Sequence, residues 1–289
     1  NDTISHLFTE VISSCRAQEE LLNVACLGPA GTFSQEAVLK QFGSQVNLIY
    51  CPTIDEVFKS VGSDVAPYGV VPLENSTEGA ISRTLDLLFE SSLKLCGEIG
   101  LPVRHNLLSK EKAENIDKIY SHSQSLSQCQ KWLGRHFASA QLIPVASNAA
   151  AAQLVASEPR SAAIAGRIAG EHFGLTTIYS SIEDKPDNTT RFGVISKSTV
   201  GTSGVDKTSI VIAAQHKPGA ILSLLEPLAE GGISMTRLES RPSGLGLWEY
   251  MFFIDLEGHQ DDKAMQAALS DIQSKSGFFK IIGSYPKTI

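Results

Sequence analysis

The hexapeptide Asp187-Asn188-Thr189-Thr190-Arg191-Phe192 sets a carboxylate, an amide, two hydroxyls and a guanidinium side by side. It is entered through Lys185-Pro186 and runs into the strand-like Phe192-Gly193-Val194-Ile195, so its hydrogen-bonding groups fall where a loop meets a sheet. Alone it would read as a solvated turn whose side chains satisfy their own backbone. Three further segments repeat the pattern, which turns the reading towards a shared small-molecule site.

The first is Gly28-Pro29-Ala30-Gly31-Thr32-Phe33-Ser34, between the buried strand Val24-Ala25-Cys26-Leu27 and a helix carrying Ala37, Val38 and Phe42. It lacks both the Gly-Lys-Ser/Thr ending of a phosphate loop and the dinucleotide glycine spacing, which disfavours nucleotide binding. What remains is a helix N-terminus with Thr32 and Ser34 at its mouth, either a plain cap or a seat for a carboxylate or phosphate. The second, Leu73-Glu74-Asn75-Ser76-Thr77-Glu78-Gly79, follows the strand Gly69-Val70-Val71-Pro72 and leads into a helix with Leu85, Leu88 and Phe89. The third, Ser121-His122-Ser123-Gln124-Ser125, follows Lys118-Ile119-Tyr120 and opens a helix whose one face holds Leu126, Cys129, Leu133 and Phe137. A lone histidine beside capping serines is more often structural, so His122 is not taken as a base, and no residue grouping points to a metal.

These loops need a frame. The strand-then-helix alternation runs once over residues 23–100 and again over 101–189, where Leu142-Ile143-Pro144-Val145 and Ala162-Ala163-Ile164-Ala165 each feed a helix. With the chain returning through 190–203, this predicts two α/β lobes and a cleft lined by polar loops on both walls. After the linker Ser198–Gly204 the order becomes strand Thr208–Ala214, helix Ala220–Ala229, strand Ile233–Ser240, hairpin turn Arg241–Gly244, strand Leu247–Leu256, helix Lys263–Ser274 and strand Phe278–Tyr285. That is the ferredoxin-like βαββαβ sandwich, expected over 204–289 as a binding or pairing module. At the other end, Ile4, Leu7, Phe8, Val11, Ile12, Cys15, Leu21 and Leu22 recur at helical spacing, so residues 3–22 read as an amphipathic helix that packs on the next domain or belongs to a helical domain.

The totals agree with this plan. A chain of 289 residues exceeds one small core, and 42% hydrophobic content suits globular folding. A formal net charge of −7 without a Lys/Arg cluster gives no footprint for nucleic acid or an anionic membrane. Five scattered cysteines without a C-x-x-C pair suit a reducing compartment, and the short apolar runs span no bilayer; the expected location is cytoplasmic.

Four motifs, Gly28–Ser34, Val71–Ser76, Ser121–Cys129 and Asn188–Phe192, together resemble the prephenate dehydratase family, in that family's order and over residues 24–289. The resemblance implies a two-lobed, periplasmic-binding-protein-like catalytic domain (23–203, its lobes about 23–100 with 190–203, and 101–189) followed by an ACT regulatory domain (204–289). Residues 1–22 look like the last helix of an AroQ-type chorismate mutase, as in a fragment of a bifunctional enzyme, with Ser14 and Gln18 near that enzyme's site. Ser123, where the family usually has proline, and Ile221-Leu222, in place of the commoner Leu-Val, depart from the pattern.

By that resemblance the reaction is prephenate to phenylpyruvate, with loss of the ring carboxylate as CO2 and of the ring hydroxyl as water. It needs no cofactor. Such chemistry calls for help to a poor leaving group without stabilising the departing carboxylate, a task for neutral donors in a closing cleft rather than a basic pocket. The implied catalytic set is Thr190, hydrogen-bonding the departing hydroxyl, with Glu74 as a supporting acid if burial raises its pKa, and Asn75, Ser121 and Gln128 orienting substrate. Thr32, Ser34, Ser76, Thr189 and Arg191 are the implied substrate-binding residues, Arg191 either holding the pyruvyl carboxylate or bracing its loop. Gly219, Ala220, Ile221 and Leu222, with Glu239, Ser240 and Arg241, match the positions where the ACT family binds L-phenylalanine, which implies feedback inhibition in a homodimer or homotetramer. Removing 204–289 would then leave an active, insensitive enzyme. Arogenate dehydratase is the nearer alternative and a non-catalytic amino-acid sensor the farther one, for which Thr190 and Glu74 would be unnecessary.

Overall fold

The structure is a computed structural model that describes residues 2–214, 218–242 and 250–288. Its first helix, α1 (Asp2–Ala17), ends earlier than the expected residue 22, because Leu22 enters a parallel ladder opposite Val46 and the chain must turn out of the helix before it. Only Ser13 of α1 is buried deeply; Ile4, Leu7, Phe8, Val11 and Ile12 remain at least half exposed.

Strands β1 (Leu22–Leu27), β2 (Val46–Cys51) and β3 (Tyr68–Asn75) alternate with α2 (Phe33–Phe42), α3 (Ile54–Gly62) and, after the short β4 (Gly79–Ala80), α4 (Ser82–Glu90). Thr32 and Thr53 cap α2 and α3 by accepting from the backbone N–H three residues on. β5 (Lys94–Pro102) then carries the chain across to a second sheet of β6 (Asn106–Ser109), β7 (Lys118–Ser121), β8 (Gln141–Pro144), β9 (Ser161–Ala165) and β10 (Thr176–Tyr179). The second sheet is interleaved with α5 (Ser123–Gln128), α6 (Gln130–His136), α7 (Asn148–Val155) and α8 (Arg167–Phe173). β11 (Thr189–Ser196) returns to the first sheet and fits between β3 and β5, antiparallel to both, giving the order β2-β1-β3-β11-β5. The second sheet runs β10-β6-β9-β7-β8.

The chain thus passes between the sheets twice, and the two passages lie together: Val103 N–H donates to the Asn188 carbonyl at 2.8 Å and Ile182 N–H to the His105 carbonyl at 2.8 Å. Near them the sheets' loops touch. Gly31, at φ +87°, faces α8 so closely that a Cβ there would lie 3.1 Å from the Ala169 Cα, so only glycine fits both the turn and the contact.

The third sheet, β13-β14-β12-β15, is built from β12 (Asp206–Ala213), α9 (Ala220–Glu230), β13 (Met235–Pro242), β14 (Tyr250–Glu257), α10 (Lys263–Lys275) and β15 (Phe278–Pro286), in the βαββαβ order. Ser243 and Gly244 of the expected hairpin turn, and residues 247–249 of the expected strand, lie outside the described residues. One face of this sheet packs Ile210, Ile212, Ile254 and Leu256 on its own helices. The alternate residues Val211, Met251 and Phe253, with Ile282 and Tyr285, share a core with Leu73, Leu85, Leu88, Leu95 and Ile195 of the first sheet and α4. The C-terminal module therefore shares a continuous apolar core with the first lobe, which bears on the expectation that a chain without 204–289 would stay active.

Candidate functional site

Thr190 and Asn75 sit opposite each other on β11 and β3, as do Arg191 and Glu74 one residue along. Side chains alternate across a strand, so each pair lies on its own face of the sheet. One face is neutral and the other is charged.

On the neutral face, the Asn75 Nδ2 donates to Thr190 Oγ1 at 2.9 Å and to Asn188 Oδ1 at 2.9 Å. The Asn75 amide cannot turn over, because its Oδ1 accepts from the Thr77 N–H at 3.0 Å and the Thr77 hydroxyl at 2.6 Å. Asn188 Nδ2 donates to Gln128 Oε1 at 3.2 Å, and the Gln128 amide reaches back to Thr77 Oγ1 at 3.4 Å. The ring thereby closes between the first sheet, the crossover and α5 of the second sheet. Thr190 is an acceptor in it, and among the described residues its own hydroxyl proton has no acceptor.

His105 completes the ring and was not singled out from sequence. It is 2% exposed, its Nε2 lies 2.7 Å from Gln128 Oε1, and its Nδ1 is buried without a partner among the described residues. Burial holds its pKa below the ordinary histidine value, against the Gln128 hydrogen bond and the nearby Glu183 carboxylate, which work in the other direction. A neutral ring donating from Nε2 fits the acceptor it faces. No motif marks this histidine; its place on the first crossover shows only once the two passages are side by side.

The charged face holds Arg191. Its Nη1 lies 2.5 Å from Asp255 Oδ2, its Nε 2.8 Å from Glu98 Oε2, and its Nη2 2.9 Å from the Tyr285 hydroxyl. Lys207 reaches the same Glu98 at 2.8 Å, and Glu74 takes Arg237 Nε at 2.8 Å with Arg191 Nη1 at 3.9 Å. Burial works against the Arg191 charge, but the oxygens of Tyr285, Asp255 and Glu98 outweigh it and raise its pKa further. Burial together with Asp255 pushes the Tyr285 phenol up as well, so it stays a neutral hydroxyl.

This geometry places each of the other expected site residues. Arg191 braces its strand against the C-terminal sheet, its guanidinium engaged there by Asp255, Glu98 and Tyr285. Glu74 lies on the same charged face, turned away from Thr190 by the strand alternation and paired with Arg237. The Thr32 hydroxyl is committed as a cap, donating to the Leu27 carbonyl at 3.1 Å while accepting from Gln35 N–H. Ser121 is fully buried, with its hydroxyl directed to Asn148 Oδ1 at 2.9 Å and the Ile164 carbonyl at 2.8 Å, inside the second sheet. Ser76 staples its turn to the approach to β11, accepting from Thr189 N–H at 3.0 Å. Ser34 is buried without a hydrogen bond among the described residues, and Thr189 is half-buried beside Thr190.

In the C-terminal sheet Gly219, at φ +76°, caps α9, whose Ala220 is buried while Ile221 and Leu222 are exposed. Glu239 is half-buried and Ser240 exposed on the edge strand β13. Arg241 is ion-paired with Asp86 of α4 at 3.0 Å, a partner its effector-site assignment did not foresee.

The family model described as prephenate dehydratase matches residues 24–200, and that of the ACT domain matches residues 208–273. A bifunctional chorismate mutase/prephenate dehydratase of Neisseria gonorrhoeae is 50% identical over 293 residues, covering the whole of this chain and 81% of the relative. Among solved structures, a prephenate dehydratase from Arthrobacter aurescens in complex with L-Phe superposes with a TM-score of 0.85 at 30% identity, over 92% of this chain and 90% of that one. GqqA, described as a novel type of quorum quenching acylase, superposes at 0.84 with 27% identity, over 92% and 98%, so the fold by itself does not select the chemistry. The match of both family models in chain order, together with half-identity to a bifunctional relative along the entire sequence, shows that this chain belongs to the prephenate dehydratase family and carries its ACT domain.

Proposed function

We propose that the chain turns prephenate into phenylpyruvate at the neutral cluster, with Thr190 as the residue that touches the reacting oxygen. The observation that carries this is the direction of one hydrogen bond: the Asn75 amide donates to Thr190 Oγ1, which leaves the threonine proton to be given outward. In the reaction the ring C–O bond breaks as the ring carboxylate leaves as CO2. The electrons of the C–C bond flow into the ring, which becomes aromatic, and the departing oxygen takes up a proton to leave as water. Charge builds on that oxygen. A pre-oriented hydroxyl stabilises it there, while an environment of amides and hydroxyls gives the carboxylate no salt bridge that would hold it back. Gln128 and Asn188 line the same ring and are the candidates for orienting substrate, with Thr189 beside Thr190 in the chain and Ser34 next to Phe33, whose ring meets His105 edge-on.

The proposal extends to regulation by L-phenylalanine, in an assembly of two or four copies, within the cytoplasm. Supporting it are the exposed Ile221 and Leu222 at the mouth of α9, the edge position of β13, and the L-Phe complex of the Arthrobacter relative. The exposed apolar face of α1 would belong to a mutase unit of the kind named in the bifunctional relatives. The test is turnover: purified protein given prephenate should yield the enolate absorbance of phenylpyruvate, with kcat/KM higher than for arogenate and falling as phenylalanine is titrated in. Protein that binds phenylalanine but leaves prephenate unchanged would be a sensor, and the dehydratase reading would be wrong.

A further inference from the structure

The two strands that carry Thr190 and Asn75 are each gripped, one residue away, by a side chain from the C-terminal sheet. Asp255 of β14 holds Arg191 at 2.5 Å, and Arg237 of β13 holds Glu74 at 2.8 Å. Arg191 and Glu74 are themselves opposite each other in the ladder. Directly beyond them the register slips, because between Arg191 and Phe192 the partner shifts from Glu74 to Pro72 and leaves Leu73 unpaired. The end of β3 bearing Asn75 is therefore separated from the regular β3–β11 ladder by a bulge, while β11 keeps an unbroken register with β5 from Thr189 to Val194, so the placing of Asn75 against Thr190 needs a hold besides that ladder.

The grip is built for that. Asp255 is 4% exposed and its second oxygen accepts from Ser209 Oγ at 2.6 Å, so its position is set from within its own sheet. Ser209 also meets the Tyr285 hydroxyl at 2.6 Å, and Tyr285 completes the coordination of Arg191. On the other strand, Glu74 is, among the described residues, the one carboxylate that Arg237 reaches, and the Arg237 Nη2 is buried with no partner among them, so the guanidinium has been desolvated for this contact. Buried groups of this kind are a poor source of stability against an apolar alternative and a good source of fixed geometry.

We propose that Asp255 and Arg237 are positioning residues of the dehydratase site: acting through Arg191 and Glu74, they hold the Thr190 and Asn75 side chains at the separation the reaction requires. The inference rests on the dehydratase reading above. It also gives regulation a route. Arg237, Glu239 and Arg241 alternate along β13 on one face, so a ligand that shifts the Glu239–Arg241 segment moves the side chain that holds Glu74, with no intervening element.

The experiment compares Asp255→Asn, Arg237→Gln and Arg237→Lys with the unchanged chain for kcat, KM, phenylalanine inhibition and melting. With Thr190 displaced but the cleft intact, Asp255→Asn and Arg237→Gln should lower kcat by about tenfold to a hundredfold while KM moves little. Arg237→Lys, which keeps the charge at a single-contact site, should recover most of the turnover. Folded Asp255→Asn and Arg237→Gln proteins with unchanged kcat would overturn the proposal, as would a loss confined to KM. Should Asp255→Asn fail to fold, Arg237→Gln decides alone, since its partner Glu74 is partly exposed. An unchanged chain that is inert towards prephenate would remove the dehydratase reading and this inference with it.

Discussion

The two faces of the β3–β11 pair place polar side chains one residue apart and use them in opposite ways. On one face Asn75, Thr190, Asn188 and Gln128 are neutral, share hydrogen bonds, and leave one hydroxyl proton without a partner among the described residues. On the other Arg191, Glu98, Asp255, Glu74 and Arg237 are charged and closely paired. On the proposed function, chemistry that must not hold on to a departing carboxylate would sit among dipoles, whereas the join between domains is made with ions. The lesson is that a motif such as Thr-Thr-Arg contains two roles, and that the strand's alternation of side chains separates them.

The comparison breaks most visibly if the charged face loses its partner sheet. Removing 204–289 would strip Val211, Met251, Phe253, Ile282 and Tyr285 from the shared core. At about 1.5–3 kcal/mol for each side chain fully buried, the loss rivals the roughly 5–15 kcal/mol that holds a domain folded. The truncated chain should therefore be insoluble or molten, checked by expression and by near-UV circular dichroism; a soluble, active truncation would restore the picture of a detachable module.

A smaller break is Arg191→Met, which leaves Glu98 and Asp255 buried with fewer cationic partners. Destabilisation of about 3–5 kcal/mol is expected from denaturant unfolding, as for other buried pairs deprived of one member. A variant as stable as the parent would mean that the charged face contributes no rigidity.

The gentlest probe concerns His105. Its folded pKa is lowered, so at acidic pH the unfolded chain binds the proton that the folded chain refuses. The stability this residue contributes is complete above the ordinary value of 6.5 and is lost as pH falls below it towards the lowered value. His105→Asn should flatten that acid limb of a melting-temperature profile, while an unaltered limb would show that His105 does not govern it.

Much of this arrangement could be read from the chain. The alternation of strand and helix and the βαββαβ order were visible because periodicity is a local property, while Thr190, Asn75 and Gln128 were named through the resemblance to the family's motifs. Antiparallel strands such as β5, β6 and β10, which lead into no helix, left no such signal. Nor could the facing of Glu74 be read, since a loop-like Glu-Asn-Ser-Thr gives no parity until its strand is known to run through Asn75. Ser121, Ser76 and Thr32 share hydroxyl chemistry with Thr190, and only their hydrogen-bond partners reveal that their protons are already committed or their oxygens already used by the fold. His105 and Asp255 depend on contacts across 23 and 64 residues, beyond any local pattern.

The central claim, that the neutral face performs the chemistry, is tested most directly by Thr190→Val, which keeps the shape and removes the hydroxyl. Steady-state turnover of prephenate should show kcat lower by about a hundredfold or more with KM close to that of the parent. Thermal melting of the same sample should show a melting temperature lowered by no more than the loss of the one hydrogen bond from Asn75, about 1–3 kcal/mol, accounts for. A valine variant that retains most of its turnover would contradict the account.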